Sequence, residues 1–372
     1  MFRIYVFVFA VAPIPRPPRP SEKTYKTILP GGSVSSKQGL PCWMDHDRIG
    51  KQQGAEVFVS VVVPAYNEEE RLGGMLEEAV DYLQTHFWDA HESSTTAVTQ
   101  DHKEMQKTSK GKKLQNGTVG KPPLSATTKG WEILIVSDGS TDKTVDAALS
   151  FARSHQLYPH PKPIPGPRTP YPDHSTQIPP GAIRVISLEE NRGKGGAVVH
   201  GMRHVRGEYI VFADADGASK FSDLGRLVGE CQKIEDSQGR GVAVGSRAHL
   251  VGSEAVVKRS FLRNFLMHSF HLLLRILTPT ATAAIKDTQC GFKLFSRSCL
   301  PYIIPFMHSE GWIFDVEMLM LAELAGIPVA EVPVGWKEVG GSKLNVIWDS
   351  LGMAWGLAVL RAAWVLGVYR RD

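Results

Sequence analysis

Four apolar runs, each followed by helical spacing or by acids, set the limits on what this chain can fold into. Val57–Val63 leads into Leu72, Met75, Leu76, Ala79, Val80, Leu83 and Phe87, which recur at helical spacing. Trp131–Ser137 precedes a helix after Asp142, Ile183–Ser187 a helix from Lys194, and Tyr209–Ala213 closes on Asp214 and Asp216. Short apolar runs read as buried strands, and the 3.6-residue recurrence reads as helices. Strands alternating with helices predict an α/β fold, a mostly parallel three-layer sheet with helices on both faces.

The loops after these strands hold the chemistry. In EYIVFADADGASKF, Asp214 and Asp216 fall one and three residues past a strand end, and can point into the crevice where open α/β sheets bind ligands. Two such acids can grip a divalent cation, which can bridge a diphosphate. In PAYNEEE, Pro64 stops the strand, while Tyr66 offers a flat ring and Glu68 an acceptor, which suit a nucleobase and its ribose. Glu69 and Glu70 suit a helix amino-terminus. In VSDGSTDKT, Asp138 sits directly past a strand end, and Ser140 or Thr141 can cap the next helix. ENRGKGGAVVHGM is neither a P-loop nor a dinucleotide fingerprint, since Val198 stands where the third glycine belongs. Its glycines let backbone approach a ligand and Lys194 reach a diphosphate or base; for Gly195 and Gly196, packing of a helix start on the sheet is the other reading.

GVAVGSRAH ends a further strand at Arg247, a fixed fork suited to phosphate. Val257–Leu277 alternates Lys258, Arg259 and Arg263 with Phe261, Leu262, Phe265, Leu266, Phe270 and Leu273. A helix lying on a membrane surface accounts for both faces together. The Ile313–Ala325 helix should stop at Gly326 and Pro328. Asp287 reads equally as a loop cap or as a site residue, and Asp315 can orient substrate hydroxyls. His200, His204 and His268 show no ligand spacing.

Together, VSVVVPAYNEEERL, WEILIVSDGSTDKT and EYIVFADADGASKF resemble the inverting glycosyltransferases of family 2, which have the GT-A fold and use nucleotide-sugar donors. With DTQCGFKLF, GWIFDVE and WKEVGGSKL, the resemblance narrows to the dolichyl-phosphate β-glucosyltransferases of the polyprenyl-phosphate branch. It covers Val57 to the carboxyl terminus apart from two insertions. It implies transfer of glucose from UDP-glucose to dolichyl phosphate, making a donor for protein N-glycosylation, with Mg2+ or Mn2+ as cofactor. It implies that Pro64, Ala65, Tyr66, Glu68 and Asp138 hold the nucleotide, with Lys194 lining the donor pocket. Asp214, Ala215 and Asp216 would hold the diphosphate and metal, and Arg247, Lys337 and Lys343 would surround the phosphates. Asp214, Asp216, Arg247 and Asp287 are the catalytic candidates; Arg259, Arg263 and Trp312 are the acceptor candidates. Ala218 departs from mannosyl relatives, which carry a metal-binding polar side chain there. The nearest alternative is a mannosyl donor, GDP-mannose. A processive polysaccharide synthase should add spanning helices and a Gln-x-x-Arg-Trp motif, absent here; a non-catalytic binding protein would lack the acid pair.

Net charge is +4 over 372 residues, too little to indicate nucleic acid. Cys42, Cys231, Cys290 and Cys299 read as free thiols in a reducing compartment. Residues 1–12 are apolar but shorter than the about 20 residues a spanning helix needs. They fit a truncated signal anchor, with Arg16 and Arg19 on the cytoplasmic side. Residues 13–56 read as a linker and 57–345 as the catalytic domain. Thr-, Lys- and Ser-rich residues 89–130 and proline-rich residues 156–180 read as insertions. Residues 346–372 are apolar with Trp348, Trp355, Trp364 and Arg361 spaced along them, which fits an amphipathic helix in a membrane interface or a core helix on the sheet. The expected location is the endoplasmic reticulum membrane, catalytic domain on the cytoplasmic side.

Overall fold

The computed structural model describes residues 2–44, 54–87, 130–157, 178–250, 269–270, 272–340 and 346–371. Its strands are β1 (Thr24–Lys26), β2 (Gln38–Gly39), β3 (Val57–Ala65), β4 (Trp131–Asp138), β5 (Ile183–Leu188), β6 (Gly207–Ala213), β7 (Val242–Ser246), β8 (Phe292–Ser296) and β9 (Val329–Pro333). Among the described residues they form one nine-stranded sheet in the order β2-β1-β5-β4-β3-β6-β8-β7-β9. The centre, β5-β4-β3-β6, is parallel. At one flank β8 runs antiparallel to β6 and to β7, while β9 lies parallel to β7.

Alternation along the strands builds the three layers. Val59, Val61 and Val63 of β3 join Leu72, Leu76, Val80 and Leu83 of the Leu72–Phe87 helix on one side. Val62, with Leu134 and Val136 of β4, turns to the other side against Val198 and Met202 of the Lys194–Met202 helix and Met318 of the Phe314–Leu324 helix. Burial on both faces is the usual condition of parallel strands and explains their near-continuous apolar sequence. The Phe314–Leu324 helix ends as expected: Gly326 takes φ +65°, and the Ile327 amide turns back onto the Ala322 carbonyl at 2.9 Å.

Two expectations are corrected. Pro64 does not stop β3, which runs on to Ala65. It lies past Val62, the last residue paired with β6, where a missing N–H is tolerated. Of the segment 13–56, expected to be a linker, residues 13–44 are built into the fold. β1 adds to β5 and β2 to β1, both antiparallel. Ile28 is in the core, the Thr27 hydroxyl donates to the Ile183 carbonyl at 2.7 Å, and the Trp43 indole N–H donates to the Met202 carbonyl at 2.7 Å. Its partners are distant in sequence, so no local period announces it.

A third apolar cluster joins the two ends of the chain. Val8 and Ala12, from and just after the Phe2–Val11 helix, meet Leu357, Leu360 and Ala363 of the Val346–Val365 helix, with Phe270, Leu274 and Val316. The Tyr369 hydroxyl donates to the Pro13 carbonyl at 2.6 Å. Phe2, Phe7, Phe9, Ile276, Trp348, Leu351 and Trp355 remain exposed beside it. The carboxyl-terminal helix thus has one apolar face in a core and another exposed. No helix among the described residues is long and apolar enough to cross a membrane. Arg259, Arg263 and Lys343 lie outside the described residues, as do most of both insertions.

Candidate active site

The carboxyl ends of β3, β4 and β6 meet over one crevice. Asn67, at φ +52°, turns the loop after β3, and its side-chain oxygen accepts the Thr141 amide at 2.8 Å. In return the Ser140 hydroxyl accepts the Asn67 amide at 3.1 Å, and the Thr144 hydroxyl accepts the Glu68 amide at 2.7 Å. The first two acid-bearing loops are therefore sewn together, with Tyr66 partly exposed at their rim. Pro64 and Ala65 form the last residues of β3 beneath them. The Glu68 carboxylate is gripped by both ends of the Arg71 fork, at 2.6 and 2.7 Å. Asp142 accepts the Thr144 amide at 2.9 Å at the start of the Thr144–Leu157 helix, where Ser140 or Thr141 was expected to cap.

Asp138 does not face an open pocket. It is buried, and its two oxygens accept the backbone amides of Arg192 at 2.7 Å and Gly193 at 2.9 Å. Burial pushes its carboxyl up to about 6, against the pull of those two amides. It therefore fastens the loop that carries Lys194. Gly193, at φ +87°, has room for no side chain, since a Cβ would come within 2.6 Å of the Glu310 carbonyl oxygen.

Lys194 reaches across to the acid pair, its Nζ 2.6 Å from Asp214 Oδ1 and 6.0 Å from the centre of the Trp312 ring. Burial and the neighbouring Asp214 push the Asp216 carboxyl above its ordinary value. Ala215 is buried between the two acids and Ala218 is buried just beyond. Among the described residues no group of three or more His, Cys, Asp or Glu is placed for a metal ion. The acid pair still fits a divalent cation: two hard oxygen donors repel one another in a half-buried loop, and a bound cation would relieve that repulsion. With Ala218 contributing nothing, the other ligands would come from phosphate oxygens and water.

Arg247 and Asp287 are joined to one another. Asp287 accepts from Arg247 Nε at 2.7 Å, from Nη2 at 2.8 Å and from its backbone amide at 2.9 Å. Burial works against the Asp287 charge, but the guanidinium outweighs it and holds the carboxyl below the ordinary carboxylate range. Asp287 thus orients Arg247 and is neither a simple loop cap nor open to substrate. Trp336 lies under the Arg247 guanidinium at 5.8 Å, and the next residue, Lys337, is exposed while its amide donates to the Ala218 carbonyl at 2.9 Å. Asp315 is likewise occupied, paired with the fully buried Lys293.

Three of the residues that shape the crevice carried no recognisable signal. Asn67 locks two loops, Lys293 neutralises Asp315, and Gly291 leaves space for Asp214: a Cβ there would fall 2.0 Å from Asp214 Oδ2.

The model for glycosyl transferase family 2 matches residues 172–300. A solved structure of a mycobacterial protein aligns over 94% of this chain and 85% of its own at a TM-score of 0.50 and 17% identity, a likeness of fold. The sheet and crevice are those of a GT-A glycosyltransferase of family 2. Dolichyl-phosphate β-glucosyltransferase of Saccharomyces cerevisiae is 38% identical over 99% of this chain and 91% of its own length. The Homo sapiens protein of that name is 35% identical over 84% and 78%. The chain belongs to the dolichyl-phosphate β-glucosyltransferase family.

Proposed function

We propose that the protein transfers glucose from UDP-glucose to dolichyl phosphate with inversion at the anomeric carbon, at the cytoplasmic face of the endoplasmic reticulum membrane. The observation that carries this is the Asp214–Asp216 pair at the end of β6, with Lys194 Nζ 2.6 Å from Asp214 and the Arg247 fork nearby. The names of the relatives supply glucose and dolichyl phosphate; UDP as the carrier comes from the motif likeness.

The acceptor phosphate is an anion at neutral pH and needs no strong general base. One of its oxygens attacks C1 from the face opposite the diphosphate; the new C1–O bond forms as the bond to UDP breaks, and the departing electrons stay on UDP. The chain's task is to align the two and to stabilise the leaving charge. Mg2+ or Mn2+ held by Asp214 and Asp216 would neutralise the diphosphate. Lys194 and Arg247 add positive charge close to Asp214, and Asp287 keeps Arg247 aimed. Tyr66 offers its ring to the base. Trp312, half-exposed beside Lys194, is the described acceptor candidate, with Arg259 and Arg263 proposed for the lipid phosphate. The exposed apolar side chains Phe2, Phe7, Phe9, Trp348 and Trp355 on the two terminal helices support a membrane location, since such groups can enter a lipid interface.

The test is transfer from radiolabelled UDP-glucose and GDP-mannose to dolichyl phosphate, with calorimetric titration of both donors. UDP-glucose should bind and transfer; preference for the guanine nucleotide would replace the glucosyl reading with the mannosyl one.

A further inference from the structure

We infer that the stretch Arg16–Glu22, far upstream of the sugar-nucleotide motifs, is a positioning strap for the donor loop Asn191–Gly196, with Glu22 as its key residue. The inference rests on the reading of this crevice as the UDP-glucose site.

Glu22 is almost wholly buried and every part of its carboxylate is used. Oε2 accepts from Arg192 Nη2 at 2.6 Å and from the Arg19 amide at 2.7 Å, while Oε1 accepts the Glu189 amide at 3.1 Å. Arg192 is also buried, and the rest of its fork is spent on the same strap, donating to the Arg16 carbonyl at 2.6 Å and the Pro17 carbonyl at 3.1 Å. The backbone amide of this same Arg192 is one of the two held by Asp138. Arg192 is therefore pinned from two sides, by the strap through its side chain and by Asp138 through its backbone, immediately before Gly193 and Lys194.

A second contact ties the strap to the other wall. Arg16 Nε donates to Glu310 Oε2 at 2.7 Å, and the Glu310 carbonyl accepts the Gly196 amide at 3.0 Å. Glu310 lies two residues before Trp312, so the strap fixes the donor loop and the Ser309–Trp312 loop as one unit. A charged fork held by a buried carboxylate has one geometry, which is what a lysine aimed at Asp214 needs from its neighbours. Buried charge pairs are poor sources of stability but good sources of a single arrangement. Placement errors near reacting groups weaken function far more than they weaken folding.

Glu22→Gln keeps the side-chain shape and removes the charge; Arg192→Lys keeps the charge and removes the fork. Each should raise KM for UDP-glucose about tenfold or more, with kcat and KM for dolichyl phosphate changed much less. Lys233→Ala, which breaks only a surface ion pair with Glu230 away from the strap, should leave both constants near wild type. A merely structural role would lower the active fraction, so kcat would fall with KM unchanged; that result, or unaltered kinetics, overturns the inference. If the variants misfold, hydrogen exchange of the wild-type chain decides: UDP should protect residues 16–22 together with 191–196, and protection of 191–196 alone overturns it. A wild-type chain that neither binds UDP nor transfers glucose would instead sink the underlying functional reading.

Discussion

At the scale of single residues, the crevice is a set of charges held in place by neutral geometry. Asp214 owes its position to the absence of a side chain at Gly291, and its charge is balanced by Lys194. Removing one acid should be costly: Asp216→Asn should lower glucosyl transfer on the order of a hundredfold, by loss of electrostatic stabilisation of the leaving diphosphate. Wild-type activity in EDTA should fall similarly; full activity of the substituted protein in EDTA would contradict the cation role. Asp138 gives a pH signature. Its carboxyl lies at about 6, above the 3.8 of an ordinary aspartate, so the folded chain holds the proton longer than the unfolded one. Between those values, rising pH therefore removes stability at this residue. The same ionisation supplies the full carboxylate that accepts the Arg192 and Gly193 amides. UDP-glucose affinity, measured by calorimetry because the donor itself has no group titrating there, should rise with pH through about 6. Asp138→Asn should bind weakly and flatten that profile.

Secondary-structure elements show where sequence reading succeeds and where it stops. The helix Leu72–Phe87 and the strands Trp131–Asp138, Ile183–Leu188 and Gly207–Ala213 were legible because their partners lie on both faces of one sheet, so each strand is mostly apolar. β1 and β2 were not, because three- and two-residue edge strands have no period to read. The acid loops were legible as chemistry, but the use of each acid was not. Glu68, Asp138, Asp287 and Asp315 all prove to be engaged by Arg71, two amides, Arg247 and Lys293, contacts set by tertiary structure. The insertion between the first helix of the domain and β4 leaves and returns at one point: the Gly130 amide donates to the Phe87 carbonyl at 3.0 Å. A loop whose ends already meet can be shortened at little entropic cost. Deletion of residues 92–128 should leave the melting temperature and transfer near wild type; an insoluble or inactive product would mean that the segment packs on the domain.

For the whole molecule, the two terminal helices and the catalytic sheet form one body with an apolar side. Val8, Leu357 and Leu360 bind the helices together, while Phe7 at 55%, Phe9 at 61%, Trp348 at 72% and Trp355 at 56% exposure face outward. The sequence allowed either a core helix or an interfacial one, because a period cannot say which apolar face finds a partner. Replacing those four aromatic residues by glutamate should abolish flotation with anionic liposomes while leaving the melting temperature within a few degrees. If the replaced chain still floats, these residues are not the docking face. Simple truncation at Gly54 would not test this cleanly, since it also removes the strap.

The strap has a consequence for how the enzyme is made. Arg16 waits for a partner 294 positions later, and Pro13 for one 356 positions later. At roughly 5–20 residues per second of synthesis, the first of these contacts is delayed by about 15–60 seconds after Arg16 emerges. Through that interval the Phe2–Val11 helix still lacks Val316 and the Val346–Val365 helix, its neighbours in the third apolar cluster. The Glu22–Arg192 contact can form once residue 192 has emerged, but the strap closes on both walls of the donor loop only when Glu310 has followed.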